Sequence, residues 1–199
     1  MELLLMRHSI TPGNLERRFV GSTDQPLAPQ GLALAREIAP LLEPVDHLYR
    51  SPMLRCAQTA ALLWPGVETT VIDDLRETNF GPLEGMDSAQ AQQTHLYRQW
   101  SRGELGPGEV VEDSRPRVAE AILSLGRDAL EKGYRKVAVV AHGGVFMGLL
   151  AQYGRPEQAP YDWLLPNCGG YRVQLCLDPL ELTVTGTLGR VREAHDKII

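Results

Sequence analysis

Arg7 and His8 follow directly on the apolar run Leu3-Leu4-Leu5-Met6, and His142 follows directly on Val137-Ala138-Val139-Val140-Ala141. A buried strand that ends in a guanidinium or an imidazole sets that group on the rim of its own core. Arg55, in Ser51-Pro52-Met53-Leu54-Arg55, and Glu77, beside Arg76, each come after a further strand-like stretch. Two guanidiniums and the backbone N–H groups after His142, at Gly143 and Gly144, suit a tetrahedral dianion. Arginine offers planar paired donors, and a helix N-terminus carries the positive end of its peptide dipoles. Within such a pocket a neutral imidazole can attack phosphorus in line. A second imidazole, if protonated, can stabilise the equatorial oxygens. A carboxyl group just outside the charge cluster can hand a proton to the leaving alkoxide and then take one from water, and Glu77 is the candidate for that task.

Each of these residues alone has a plainer explanation. A histidine beside a strand is usually a hydrogen-bonded structural residue, an arginine on an amphipathic helix is usually solvated, and Gly143-Gly144 is a tight strand-to-helix turn. Their common position at one edge of the fold sets the plainer explanations aside. That edge follows from the elements. Residues 2 to 6 and 136 to 141 read as fully buried, parallel strands. Helical patterns cover 29 to 42, 52 to 64, 116 to 132 and 144 to 153, with Pro40 expected to kink or end the first. Ser51 and Pro52 look like an N-cap and first helical residue, and Gly133 like a C-cap. Weaker strands fall at 45 to 49, 67 to 72, 171 to 177 and 181 to 187. Strands alternating with helices predict an α/β chain, three-layer α/β/α with a mostly parallel central sheet. Open parallel sheets of that kind bind ligands at the carboxyl ends of their strands. Residues 1 to 199 read as one domain, with 81 to 115 an excursion that could cover a substrate.

Composition narrows the partners. The 199 residues carry a formal net charge of −5, with 43% hydrophobic residues. That acidic balance argues against nucleic acid or an anionic membrane held by bulk electrostatics, so an anionic ligand must meet a local positive cluster. The cysteines Cys56, Cys168 and Cys176 form no CxxC pair and suggest neither a disulfide framework nor a zinc ribbon. No basic leader or membrane-length apolar run is seen, which predicts a cytoplasmic protein.

The blocks themselves resemble a known family. The opening "MRHSITPGNLERRFVGSTDQPLAPQG" is similar to the RHG-x-T-x-x-N and G-x-x-D-x-PL-x-x-G segments of the histidine phosphatase superfamily, phosphoglycerate-mutase-like branch. "SPMLRCAQTA", "LRETNFGPLEG" and "VVAHGG" look like three further blocks of that branch, in the same order. The resemblance implies a phosphoglycerate-mutase-like fold and His8 as the nucleophile that becomes phosphorylated. It implies Arg7, Arg55 and His142 as phosphate ligands, Glu77 as acid and base, and Asn14 and Thr11 as polar neighbours of the phosphate. No metal or other cofactor is implied, the partner is a small phosphomonoester, and a homodimer stays open. Within the branch the chain looks most like the α-ribazole phosphatases of cobalamin synthesis. Phosphatases of phosphoglycerate, phosphoserine or sugar phosphates, and phosphoglycerate mutases, share the same blocks.

Three departures stand out. Ser9 replaces the usual glycine, where its hydroxyl either caps the turn or touches the phosphate, the structural role being favoured. Ala28 replaces a helix-capping Thr or Ser, and the segment Pro107-Gly108-Glu109-Val110 lacks the family's serine. Tyr97 and Trp100 could stack on a flat base or simply pack. Arg17, Arg18, Arg98 and Arg102 could meet a substrate carboxylate or stay solvated. Two other roles are weighed. A two-histidine, one-carboxylate metal site would have Arg7 and Arg55 repelling the cation. A pocket that only binds phosphate would leave the acid, base and nucleophile unused. His47, His95 and His195 fit none of the blocks, and Cys56 reads as core.

Overall fold

The computed structural model describes residues 1–102 and 111–190, and the side chains of 111–114 are left aside. The Pro107 to Val110 segment and His195 therefore lie outside the described residues. In chain order come β1 (Glu2–Arg7), α1 (Pro12–Leu15), α2 (Pro29–Ile38), β2 (His47–Arg50), α3 (Leu54–Leu63) and β3 (Thr69–Val71). There follow α4 (Ser88–Gln92), α5 (His95–Trp100), α6 (Val111–Glu131), β4 (Lys136–Ala141), α7 (Gly143–Tyr153), β5 (Gly154–Arg155), β6 (Gly169–Leu177) and β7 (Leu180–Gly189).

The strands form one sheet in the order β3-β2-β4-β1-β6-β7-β5. β1, β4, β2 and β3 run parallel, whereas β6 lies antiparallel to both β1 and β7, so the sheet is mixed. β1 and β4 read as unbroken apolar runs because both their faces are covered. Leu3, Leu5, Val137 and Val139 face a core with Ile122 of α6 and Phe146 of α7. Leu4, Met6, Ala138 and Val140 face a second core with Ala35 of α2 and Cys56 of α3. Those two cores are the joints of a three-layer α/β/α arrangement. Among the described residues no helix is long and apolar enough to cross a membrane.

Local chemistry sets the ends. α2 stops at Ile38 and a 3-10 turn takes over at Ala39–Leu41, as Pro40 requires. Gly133 adopts φ +75° just past α6, the left-handed conformation open to glycine. Two expectations shift. α3 begins at Leu54 with Met53 as its N-cap, so Ser51 does not cap it. The Ser51 hydroxyl instead meets the His142 ring, as described below. α6 starts at Val111 and carries Pro116 within its length, several residues before the expected start.

Register delivers the strand ends together. Arg7 pairs with Ala141, and Arg50 with Val140. The His8 N–H donates to the Ala141 carbonyl at 2.9 Å and the Ser51 N–H to that of Val140 at 3.0 Å. His8, Ser51 and His142 thus leave the sheet side by side.

Beside that edge lies the described part of the excursion. Its α4 and α5 pack Ala91, Leu96, Tyr97 and Trp100 with Phe19, Phe80 and Leu83 in a small apolar cluster of their own. The cluster is tied to the segment after α1 by Phe19 N–H to Met86 O, Gly85 N–H to Phe19 O and Ser88 N–H to Arg17 O, at 2.8 to 2.9 Å.

Candidate active site

A cavity of about 110 Å³ opens at the carboxyl ends of β1 and β4. At one water per roughly 10–15 Å³ it has room for a phosphate group and a small organic part. Arg7, His8, Asn14, Glu77, Gly143 and Gly144 form its polar floor, and Phe19, Val20, Phe80, Tyr97, Trp100, Met147, Tyr161 and Leu164 form an apolar wall.

His8 is buried, and its Nδ1 lies 2.7 Å from the Ser9 carbonyl oxygen. A carbonyl can only accept, so Nδ1 carries the proton and the lone pair belongs to Nε2. Burial first, then the Arg55 and Arg7 charges, hold the ring's pKa well below its ordinary value, so the imidazole is neutral. Asn167 steadies this end of the chain, its Nδ2 donating to the carbonyls of His8 (3.1 Å) and Ser9 (3.3 Å) and to Asn14 Oδ1 (3.1 Å).

Asn14 is also the third residue of α1, where Thr11 is the N-cap and the two side chains form a reciprocal capping box. Because Asn14 Oδ1 accepts from Thr11 and Asn167, its amide nitrogen is the group left to donate into the cavity. Thr11 is fully buried and does not reach the cavity. Nor does Ser9: its hydroxyl donates to the Gly31 carbonyl at 2.8 Å and its N–H to Thr59 Oγ1 at 2.9 Å. The serine in place of the usual glycine is therefore used within the fold.

Arg7 donates from Nη1 to the Leu165 carbonyl at 2.6 Å. Its Nε is buried and without a hydrogen-bond partner, and a Cβ added at Gly143 would lie only 3.2 Å from it. A buried donor of this kind calls for an acceptor, and an anion at the cavity floor would be one. Burial lowers the guanidinium's pKa to about 10, with the Glu77 carboxyl pulling the other way, and it stays charged at neutral pH.

Glu77 is buried beside the charge cluster, where Arg55 and Arg7 act on its carboxyl. Its Oε1 accepts from the Thr78 N–H at 2.9 Å and its Oε2 from the Gly144 N–H at 3.1 Å. The N-terminus of α7, expected to join the two guanidiniums in holding the phosphate, also holds the Glu77 carboxyl through Gly144. Desolvation nonetheless outweighs these hydrogen bonds and the nearby arginines and raises the Glu77 pKa above the ordinary carboxyl value. A Cβ at Gly144 would stand 2.6 Å from Glu77 Oε1. Gly144→Ala is expected to push that carboxyl out of line and lower kcat by about 10- to 100-fold while the fold survives, as steady-state kinetics and circular dichroism would show.

Arg55 and His142 are fully buried directly behind His8 and do not line the cavity. The His8 and His142 rings meet edge to face with centroids 5.2 Å apart. Arg55 Nε donates to His142 Nδ1 at 3.3 Å, its Nη1 to the Thr23 carbonyl at 2.9 Å and its Nη2 to the Gly21 carbonyl at 2.8 Å. Since His142 Nδ1 accepts, Nε2 carries the proton and donates to Ser51 Oγ at 2.7 Å. Burial, then the Arg55 charge, hold this ring's pKa well below its ordinary value too, which favours the neutral form over the protonated second histidine considered from sequence. Cys56 belongs to the core as expected, but its Sγ also touches His142 Nε2 at 3.6 Å, and burial pushes the thiol's pKa up to about 12. Ser51, Asn167 and Glu84, which binds the loop of Gly21 to Thr23, are the site's unforeseen members. Only Ser51 and Glu84 stand within blocks that the sequence made visible.

Of the outlying arginines, Arg18 reaches the cavity, yet its Nε is paired with Glu16 at 2.5 Å and its Nη1 donates to the Gly85 carbonyl at 2.8 Å. Arg17, Arg98 and Arg102 are exposed. Tyr97 and Trp100 both pack, with ring centroids 5.5 Å apart, and line the cavity. His47 is a packing residue, stacked on Tyr134 at 5.1 Å, and His95 is exposed.

The family model "Histidine phosphatase superfamily (branch 1)" matches residues 3–183. The chain is 31% identical over 171 residues to the 2,3-bisphosphoglycerate-dependent phosphoglycerate mutase 2 of Gloeobacter violaceus, covering 78% of each chain. Its fold is shared with the α-ribazole phosphatase of Shigella flexneri, at TM-score 0.76 and 23% identity over 96% of both chains. The same holds for a phosphoserine phosphatase of Entamoeba histolytica, solved with 3-phosphoglyceric acid, at TM-score 0.76 and 23% identity over 95% of this chain and 97% of that one.

Proposed function

The chain belongs to the histidine phosphatase superfamily, branch 1, and on that footing we propose that it hydrolyses a small phosphomonoester through a phosphohistidine at His8. One observation carries the reading: the Nδ1–H bond to Ser9 leaves a neutral His8 with its Nε2 lone pair in a cavity shared with Arg7 and Glu77. In the first step Nε2 forms a bond to phosphorus as the ester P–O bond breaks, and Glu77 gives its proton to the leaving oxygen. In the second step water, giving a proton to the Glu77 carboxylate, attacks phosphorus and the P–N bond breaks.

Arg7, the Asn14 amide and the Gly143 backbone hold the phosphoryl oxygens, Arg55 and His142 act from behind His8, and Thr11 and Ser9 brace the loops. The arginines supply the positive charge that a metal supplies in other phosphatases, so the reaction runs without one. The protein works in the cytoplasm, residues 1 to 199 forming one domain in which the excursion of 81 to 115 covers the substrate. A homodimer is compatible with this reading.

The leaving group proposed first is a nucleoside-like alcohol, α-ribazole 5′-phosphate being the best guess. The aromatic side chains of Phe19, Phe80, Tyr97 and Trp100 favour it, since a flat base can pack against them. Arg18, already paired with Glu16 and the Gly85 carbonyl, is poorly placed for the carboxylate of phosphoglycerate or phosphoserine. A phosphoglycerate mutase is the second reading, favoured by the likeness to the Gloeobacter violaceus mutase.

Phosphate release in EDTA from α-ribazole 5′-phosphate, 3-phosphoglycerate, phosphoserine and sugar phosphates is the test. Turnover without metal is expected, with the highest kcat/KM for α-ribazole 5′-phosphate. Preference for phosphoserine would reject the substrate and keep the chemistry. Interconversion of 3- and 2-phosphoglycerate without net release would establish the mutase.

A further inference from the structure

We propose that Glu84 is a positioning residue for phosphate binding, acting through the loop of Gly21 to Thr23 on the Arg55 guanidinium. The proposal rests on the reading of the cavity as a phosphate site. Glu84 is half-buried and has no place in the cavity lining. Its Oε1 accepts from the N–H groups of Ser22 at 2.8 Å and Phe80 at 3.1 Å. Its Oε2 accepts from Gly21 N–H at 3.2 Å, Thr23 N–H at 3.3 Å and Thr23 Oγ1 at 2.7 Å. Burial works to raise the carboxyl's pKa, yet these donors together hold it below the ordinary value, so it is an anion at neutral pH.

Three successive N–H groups turned onto one carboxylate dictate where the carbonyls of that loop point. Two of those carbonyls, Gly21 and Thr23, accept from Nη2 and Nη1 of Arg55. The loop has no slack, since a Cβ at Gly21 would lie 2.1 Å from the Thr78 carbonyl and 2.4 Å from Glu84 Oε1. With both terminal nitrogens fixed, the planar guanidinium has one orientation left. That orientation aims Nε at His142 Nδ1 and sets that ring's tautomer. Glu84 is thereby linked to the charge behind His8 without touching a ligand.

Sign separates this role from a purely electrostatic one. Removing a carboxylate near an anion site should tighten anion binding by Coulomb's law. Loss of Arg55 positioning should weaken it. The experiment is calorimetric titration of inorganic phosphate into wild type, Glu84→Gln, Arg55→Lys and the double variant at neutral pH. Glutamine keeps the length but turns one acceptor into a donor facing the loop's N–H groups.

Glu84→Gln is expected to weaken phosphate binding roughly tenfold, with little further loss in the Arg55→Lys background, where the fork it orients is already gone. Thr23→Val, which removes only the 2.7 Å bond and keeps the charge, is expected to weaken it about threefold, and it decides the matter if Glu84→Gln does not fold. Unchanged or tighter binding in the folded variants, or equal losses in both arginine backgrounds, overturns the proposal. A wild-type protein that binds no phosphate would instead overturn the reading of the site beneath it.

Discussion

His8→Ala is expected to lower kcat by at least about 10⁴-fold on every phosphomonoester the wild type accepts, because among the described residues no other group is placed to take the phosphoryl bond. The ring's environment makes that expectation specific. His142 has both nitrogens engaged, one accepting from Arg55 and one donating to Ser51, and lies behind the cavity. Cys56, against the His142 ring, and Cys168, whose N–H donates to the His8 carbonyl, are both buried with their pKa raised to about 12 and about 11, so neither supplies a thiolate at neutral pH. Attack by His8 Nε2 leaves the ring positively charged while Nδ1–H stays bonded to the Ser9 carbonyl. A phosphoryl group on a cationic imidazole is a good donor to water. Chemical quench with labelled substrate should therefore trap acid-labile, alkali-stable label on the wild type and none on His8→Ala. Residual turnover above about 1% in the variant, or label that survives acid, would remove His8 from the role.

How far sequence reached follows from which interactions are local. β1 and β4 were legible because burial on both faces writes a continuous apolar run. Arg7, His8 and His142 were legible because they end those runs. What stayed hidden depends on pairs distant in sequence. Glu77 read as the acid and base, but nothing near it announces that its carboxyl will accept from Gly144 at the start of α7. Arg55 read as a phosphate ligand, but nothing near it announces that its guanidinium will also donate to the carbonyls of Gly21 and Thr23. Ser51 read as a helix cap because Ser-Pro is a good cap pair, but the His142 ring claims its hydroxyl and α3 starts later. Asn167 sits in a loop with no pattern to mark it, and its three contacts form only when the chain returns to β1. The aromatic wall was half visible: Tyr97 and Trp100 were weighed for base stacking, but Phe19 joins them only through the small cluster over the site.

Glu77→Gln should separate the two chemical steps. On an alkyl phosphate the leaving alkoxide needs a proton, and the loss in kcat is expected at about 10²- to 10⁴-fold. With p-nitrophenyl phosphate the leaving phenolate is stable without one, so phosphorylation of His8 is largely spared. Water, however, has lost its base. The variant should then release one equivalent of nitrophenolate per enzyme in a burst and turn over slowly afterwards, as stopped-flow absorbance would show. The pH profile carries the same assignment with its sign fixed. His8 must be neutral to attack, so kcat/KM rises with pH through its pKa, which burial, Arg55 and Arg7 push below the usual imidazole range. Glu77 must be protonated in the first step, so kcat/KM falls as it ionises, and burial moves that fall above the usual carboxyl range. A bound phosphate dianion raises the Glu77 pKa further, so the substrate itself favours the protonated acid. The wild-type profile should thus extend below the ordinary imidazole value, after allowance for the substrate's own second ionisation near about 6. Glu77→Gln should keep the acidic limb and lose the alkaline one. An alkaline limb that persists, or a burst absent with the activated ester, would assign the proton transfers to another group.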